Sequence, residues 1–338
     1  MQIKTQRTQG KIYDLFIQNQ TKEWEIVDIA CIIDIDRTVV HRHLKKLIET
    51  WKIQKTGYGK YIFKIDPLEY IRVPFFSREK KKYNPAFLGS YLPNVTSFFT
   101  KNQKDTLHNA LRDINLDTDF FLNNKRLLET TLIDLSFASS SLEGNTYDYV
   151  DTEILVKYNE IAKDKTKDDT QMILNHKKCI EYMVYYKKEL PFTKRTFCEI
   201  HTLLGDKLLQ RENLGIIRTR IVEISMSAYT PLDNQYQLEE EFEIFLTKLE
   251  QIEDPFEQSI FILVFIPYFQ IFLDINKRTS RMSANLPLLK HNMPLISFLA
   301  VVKRDYIDAI LAIYELNDPS LMAQVFAENY ILNMHRYM

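Results

Sequence analysis

The stretch QIFLDINKRTSR, residues 270–281, decides how the rest of the chain is read. It places an acid (Asp274), an asparagine (Asn276), a lysine (Lys277) and two arginines (Arg278 and Arg281) close together. A helix starting at Asn276 turns unpaired backbone N–H groups and its positive dipole end toward an anion. Arg278 and Arg281 are three apart, so both reach one face and can fork onto phosphate oxygens. Asp274 suits Mg²⁺, which takes one or two carboxylates together with phosphate oxygens. Taken alone, the segment is better read as a capped, salt-bridged helix start. Gln270 stands where a transfer site needs a proton acceptor, and an amide takes no proton at physiological pH.

The preceding run, FILVFIPYF (261–269), is the most apolar in the chain but is short and contains Pro267. It reads as a buried core helix rather than a membrane span. With 338 residues the chain is long enough for two domains. Only 7 residues are glycine, about 2% against a usual ~7%. That scarcity, and the lack of GxxxxGK[ST] or GxGxxG, argues against P-loop and dinucleotide folds. Cys31, Cys179 and Cys198 are far apart and odd in number, which excludes a disulfide framework or a Cys-based zinc site. The N-terminus lacks an apolar signal region, so the expected location is cytoplasmic, with no membrane partner.

Charge divides the chain. Residues 1–66 hold 12 Lys and Arg against 8 Asp and Glu, while the whole chain is at −1. A basic front end on a mildly acidic body suggests that only the front meets a polyanion. Residues 7–20, 25–33 and 37–51 read as three helices. The first turns Ile12, Leu15 and Phe16 inward, and the third Val40, Leu44, Leu47 and Ile48. Two β-prone runs flank GYG (57–59), a hairpin signal. Three helices and a hairpin make a winged helix-turn-helix domain over 1–66. The outer face of its third helix carries Arg37, Thr38, His41, Arg42 and Lys45, residue types that reach base edges and phosphates in double-stranded DNA. Lys55 and Lys60 flank the wing. His41 and His43 read as surface residues facing phosphate. A solvated face, or a winged helix that binds protein, is the competing reading, and the local charge favours DNA.

Residues 67–103 gather four prolines and the basic run SREKKKY (77–83), and read as a linker followed by an arm packed on the larger domain. The basic run is either an exposed connection or an extension of the DNA footprint. From about residue 104 to 338 nearly everything reads as helix, including 125–141, 170–188, 194–210, 237–251, 255–272 and 276–292. Glu143 lies at the end of the first of these. There the dipole disfavours a carboxylate, so a cationic partner is expected, and Gly144 would end the helix at positive φ.

Over roughly residues 85–330 the chain resembles the Fic family. That family has a helical fold and the motif H-x-F-x-[D/E]-G-N-[G/K]-R-x-x-R, and most members transfer AMP from ATP to a target hydroxyl. Phe272, Asp274, Asn276, Lys277, Arg278 and Arg281 match the motif, whereas Gln270 replaces its histidine and Ile275 its first glycine. GIIRTRIVEISMSAYTP (215–231) resembles the family's flap hairpin, with Gly215 and Arg218 in the lead-in and Ile224 through Tyr229 on the strand. ILNHKKCIEYM (173–183) and FCEIHTLL (197–204) resemble two further family helices. Ser139, Glu143, Gly144 and Asn145 match the family's autoinhibitory pattern. The chain is also similar to Fic proteins joined to winged helices that carry DxNKRxSR with Gln at the same point.

The resemblance implies a mainly α fold with a β-hairpin flap, and ATP and Mg²⁺ as cofactors. Asp274 would be the metal ligand. Gln270, Asp274, Asn276 and Arg278 would be catalytic, and Asn276, Lys277, Arg278, Arg281, Ser227 and Tyr229 would bind nucleotide. Glu143 would occupy the Arg281 guanidinium that the γ-phosphate needs. The partners implied are ATP, a target protein that the sequence does not identify, double-stranded DNA and a further copy of the chain. Gln270 leaves three readings open: a slow transferase in which Gln270 positions the nucleophile, a transcriptional regulator that senses nucleotide, or a scaffold without ligand. Retention of Asp274, Arg278 and Arg281 argues against the last. Ile275 also departs from the motif, because a β-branched side chain restricts a loop that glycine normally fits around phosphate.

Overall fold

The computed structural model describes residues 2–19, 22–49, 53–112, 114, 120–334 and 337, and divides the chain between Pro74 and Phe75 into two units. In the first, α1 (Gln2–Gln18), α2 (Ile26–Ile33) and α3 (Arg37–Glu49) pack with a three-stranded antiparallel sheet. Its strands are β1 (Trp24–Glu25), β2 (Ile53–Gly57) and β3 (Lys60–Phe63), in the order β1-β3-β2. Residues 20 and 50–51, expected to end the first and third helices, and residue 52, expected to open the next β-prone run, lie outside the described residues. The core holds Ile12, Phe16, Val40, Leu44 and Leu47, the inward faces that helical spacing requires, together with Trp24, Ile29, Ile53 and Tyr61. His43 corrects the surface reading, since it is buried and burial lowers its pKa. It sits beside Leu44 and Leu47 on the apolar stripe rather than on the charged face. A helix α4 (Pro67–Arg72) also belongs to this unit, with Asp66 as its N-cap.

The second unit begins with β4 (Lys81–Lys82), α5 (Pro85–Gly89), α6 (Lys101–Ala110) and α7 (Phe120–Asn123). Next come α8 (Lys125–Leu142), α9 (Tyr149–Tyr158), α10 (Lys167–Tyr186) and α11 (Lys194–Gly205). After β5 (Tyr229–Thr230) follow α12 (Gln235–Gln251), α13 (Pro255–Phe269), α14 (Asn276–Ser283), α15 (Asn285–Lys290), α16 (Lys303–Leu316) and α17 (Ser320–Asn333). Helix α13 is the centre: every residue from Phe256 to Phe269 is buried. A helix apolar on all sides has no solvated face and must be enclosed. Phe87 and Phe98, from the stretch between β4 and α6, close over it, their rings 5.0 and 6.1 Å from that of Phe265. Among the described residues no helix is long and apolar enough to cross a membrane.

Burying α13 also buries its unpaired C-terminal carbonyls, which need donors. Side chains supply them. Gln270 Nε2 donates to the carbonyl of Pro267 (2.8 Å), the Tyr229 hydroxyl to that of Tyr268 (2.7 Å), and Arg218 to those of Phe269 and Gln270. The Arg218 N–H donates to the Ile271 carbonyl (2.9 Å).

The expected flap hairpin is not found. Residues 219–228 form no strand, and Tyr229–Thr230 pairs in parallel with Lys81–Lys82. Side chains take the backbone groups that a hairpin partner would use. Arg78 Nη2 donates to the Met226 carbonyl (2.9 Å), and Glu315 Oε1 accepts from the Ala228 N–H (3.0 Å) and the Ser227 hydroxyl (2.8 Å). Arg78 and Glu315 are themselves a buried pair at 3.1 Å. Arg78→Met would leave the Glu315 carboxylate buried without its counter-charge. The expected cost, read from chemical denaturation of the larger unit, is about 3–5 kcal/mol; a loss below about 1 kcal/mol would mean that the pair is solvated.

Candidate functional site

The loop 270–275 joins the end of α13 to the start of α14 and turns through two left-handed residues, Gln270 (φ 50°) and Ile275 (φ 63°). Left-handed backbone at a β-branched residue is strained by about 1–3 kcal/mol. Ile275 thus holds the conformation that glycine would take freely, and its side chain is buried. Asn276 ties the loop into a ring. Its Oδ1 accepts from the Phe272 N–H (2.9 Å), and its Nδ2 donates to the Phe272 carbonyl (2.8 Å) and to Gln270 Oε1 (3.1 Å).

Gln270 is occupied on both sides of its amide. Nε2 donates to the Pro267 carbonyl and to the Tyr314 hydroxyl (3.0 Å), while Oε1 accepts from Asn276. Asp274 is exposed at the loop's outer edge, and its Oδ1 accepts from the Ile275 N–H.

Two arginines behind this loop behave differently. Arg281 is fully buried and has four partners. Nε donates to Ser139 Oγ (3.0 Å), Nη1 to the Tyr306 hydroxyl (3.0 Å), and Nη2 to the Ser139 carbonyl (3.0 Å) and to Glu143 Oε1 (2.7 Å). Arg278 is also buried, yet its Nε and Nη1 have no partner among the described residues. Burial lowers its pKa, and Arg281 adds to the effect. An unsatisfied buried guanidinium is costly. It lies beside the first turn of α14, whose N–H groups have the charge that an anion would meet.

Glu143 ends α8 with its side chain 16% exposed, and its second oxygen lies 3.3 Å from Lys277 Nζ. Burial opposes its ionisation, but Arg281 and Lys277 outweigh burial and hold the carboxyl down to about 2. The cationic partner required by its place at a helix C-terminus is therefore present. Gly144 has φ 94°, and the Asn145 N–H returns to the Ser140 carbonyl (3.1 Å), which closes the helix end. The Asn145 side chain pins the following turn, donating to the Asp169 carbonyl (2.8 Å) and accepting from the Tyr147 N–H (3.0 Å).

Ser139, Glu143, Lys277 and Arg281 are thus brought into contact, and Gln270 meets Asn276. Elsewhere the Ser227 hydroxyl is held by Glu315, and Tyr229 is buried between Tyr268 and Tyr314. In this arrangement the Tyr229 hydroxyl caps α13.

Sequence reasoning missed two buried histidines. His176 accepts from the Ser139 hydroxyl at Nε2 (2.9 Å) and donates from Nδ1 to the Met172 carbonyl (2.8 Å); burial holds its pKa to about 3. His201 stacks on Phe272, rings 3.9 Å apart, and burial holds its pKa to about 4. Each lies on its helix's apolar stripe, near Ile173 and Ile180 or Phe197 and Leu204. A histidine at that spacing is the signal that could have found them.

In the first unit Arg37, Thr38, His41, Arg42 and Lys45 are all exposed on α3, and Thr38 donates through its N–H and hydroxyl to Asp36. Arg37, Thr38 and His41 line a cavity of about 410 Å³ with Lys55 and Tyr58 of the β2–β3 hairpin. Lys60 is paired with Glu23 at 3.0 Å.

Residues 191–288 match the model of the Fic/DOC family. Three solved structures share the fold at low identity. Fic-1 from C. elegans (a fragment) is 16% identical with a TM-score of 0.55, and the match covers 70% of this chain and 69% of that one. A Fic domain containing signaling protein from Bacteroides thetaiotaomicron is 18% identical with a TM-score of 0.52, covering 70% and 93%. A Fic family protein from Desulfovibrio desulfuricans is 15% identical with a TM-score of 0.59, covering 72% and 76%. No curated protein matches the chain.

The lowered Glu143 pKa fixes a stability prediction. Its folded value lies below the ordinary 4.5, so ionisation stabilises the fold fully above about pH 4.5 and ever less as pH falls toward 2. The stability difference between wild type and Glu143→Gln should be flat from pH 5 to 8 and shrink below pH 4. A difference that shrinks instead as pH rises through neutrality would show that the carboxyl is not paired as described.

Proposed function

With a Fic/DOC family domain over residues 191–288, and a family whose members are generally nucleotide-transfer enzymes, we propose that this chain binds ATP and transfers AMP to a target hydroxyl weakly. One observation carries the reading: Arg278, buried with two unpartnered guanidinium nitrogens, sits at the N-terminal end of α14. Phosphate oxygens there satisfy those nitrogens and the free N–H groups of the first turn. Among the described residues no cluster of three or more His, Cys, Asp or Glu is placed to hold a metal. A single carboxylate suffices for Mg²⁺ when phosphate supplies further oxygens, and exposed Asp274 provides one. Mg²⁺ held there would neutralise charge that develops on the phosphates.

Two features hold transfer back. Glu143 occupies one Nη2 donor of Arg281, and Lys277 beside it. Its removal frees that donor, while Ser139 and Tyr306 keep the guanidinium oriented. Gln270 offers no base, a deficit on the order of 10²–10⁴-fold in rate. Because all three of its amide bonds are structural, a second reading is supported too: a regulator whose nucleotide-binding domain does not turn over.

In either case the first unit is read as a winged helix-turn-helix that binds double-stranded DNA through Arg37, Thr38, His41, Arg42 and Lys45. Their exposure on one helix face, beside Lys55 and Tyr58, supports this.

Incubation with α- and γ-labelled ATP separates the two readings. Wild type should bind ATP with little or no label moved to protein. Glu143→Gly should tighten binding roughly tenfold, or 1.4 kcal/mol, and adding Gln270→His should raise AMP transfer by at least ~10². Strong transfer by the unmutated protein would show that a histidine at 270 is dispensable; no ATP binding in any variant would sink both readings. For DNA, Arg42→Ala with Lys45→Ala should weaken binding and flatten its salt slope by about 0.9 per lost phosphate contact. An unchanged slope would reassign the module to protein contacts.

A further inference from the structure

Asp274 lies on an exposed turn, where a carboxylate has many rotamers and a metal would bind it poorly unless something held it. We infer that His201 is the residue that positions it, acting through the backbone rather than by touching ligand. This rests on the reading of Asp274 as the carboxylate that meets Mg²⁺.

The ring of His201, on α11, is fully buried and flat against Phe272. Its two nitrogens face different segments. Nδ1 lies 2.9 Å from the backbone nitrogen of Gly215, and Nε2 lies 3.2 Å from the carbonyl of Asp274. A backbone N–H only donates, so Nδ1 must be the bare acceptor. The proton therefore sits on Nε2 and is donated to Asp274. The geometry sets the tautomer without reference to pH.

The bond reaches the carboxylate in two steps. The Asp274 carbonyl belongs to the same peptide as the Ile275 N–H, and that N–H donates to Asp274 Oδ1. Fixing one end of this peptide fixes the other, and so fixes the plane of the carboxylate. The same peptide leads into the strained residue Ile275, whose φ of 63° needs external support. Gly215 completes the device. It has φ 66°, and a Cβ there would lie 2.3 Å from Thr202 Oγ1 and 2.8 Å from the Cys198 carbonyl. Only glycine brings its N–H this close to α11. Arg218, three residues on, grips the carbonyls of Phe269 and Gln270. The loop 270–275 is thus held near its start by Arg218 and near its end by His201.

A core histidine with a merely structural role would affect folding and leave metal dependence alone. Calorimetry of ATP binding to the full chain, with Mg²⁺ and with EDTA, tells the two apart. His201→Leu keeps the bulk but loses both hydrogen bonds. It should cut the Mg²⁺-dependent gain in ATP affinity by about tenfold or more, the usual size of such outer effects, and leave EDTA affinity within about twofold. His201→Gln, which can still donate and accept, should stay within about threefold of wild type. A wild type with no Mg²⁺-dependent gain would defeat the metal reading itself. A wild type with such a gain, matched by folded His201→Leu, would overturn the role of His201 alone, as would a Gln variant as defective as Leu. Should the Leu variant not fold, ¹⁵N spectra of the wild-type imidazole decide. The Nε2–H tautomer is expected, with its resonance shifting when Mg²⁺ joins bound ATP; an Nδ1–H tautomer or an unresponsive signal overturns the inference.

Discussion

The carbonyl end of α13 is the constraint from which the rest of the larger unit follows. A helix enclosed on every side cannot pass its last carbonyls to water, and each one left bare costs on the order of 1–3 kcal/mol. Arg218, Tyr229 and Gln270 meet that demand from three directions. Their positions then determine where the loop 270–275 runs and where α14, with its two buried arginines, starts. A glutamine at 270 fits this frame well because its amide has two hydrogens to give, one for Pro267 and one for Tyr314. A neutral histidine has one. The residue that suits the helix end best is thus not the one that suits proton transfer best.

Charge is arranged with the same economy. Arg281 and Arg278 lie three residues apart on α14, both buried, yet Arg281 makes four hydrogen bonds while Nε and Nη1 of Arg278 have no partner among the described residues. The difference is made by α8, which presents Ser139 and Glu143 to Arg281. His176 steadies Ser139 from behind. Glu143 carries its negative charge in a mostly buried place only because two cations face it, so the carboxylate and Arg281 each depend on the other's presence.

Much of this was legible in the sequence, where periodicity or local electrostatics reports it. The inward faces of α1 and α3, the enclosure of α13 and the positive φ of Gly144 follow from spacing and residue type. Glu143 at a helix C-terminus called for a cation, and Arg281 is that cation. What stayed hidden depends on contacts between residues far apart in the chain. Tyr229 is a strand residue as its sequence suggests, but it pairs with Lys81 rather than within a hairpin, and its hydroxyl goes to the Tyr268 carbonyl. The hairpin over 215–231 fails because Arg78 and Glu315, 148 and 87 residues away from their backbone partners, take its hydrogen bonds. His176 and His201 are interior braces whose partners no local pattern names. Lys60, which flanks the wing, meets Glu23.

Ile275 bears on the conformational entropy of the loop. Glycine at this position would visit both signs of φ, and closing the loop around a ligand would then cost freedom of about 1–2 kcal/mol for that one residue. The isoleucine, packed and already left-handed, has no such freedom to lose. The backbone of the loop 270–275 is therefore restricted at this residue more than glycine would restrict it. An anion that bound against Arg278 would then meet a residue whose backbone freedom was spent when the chain folded.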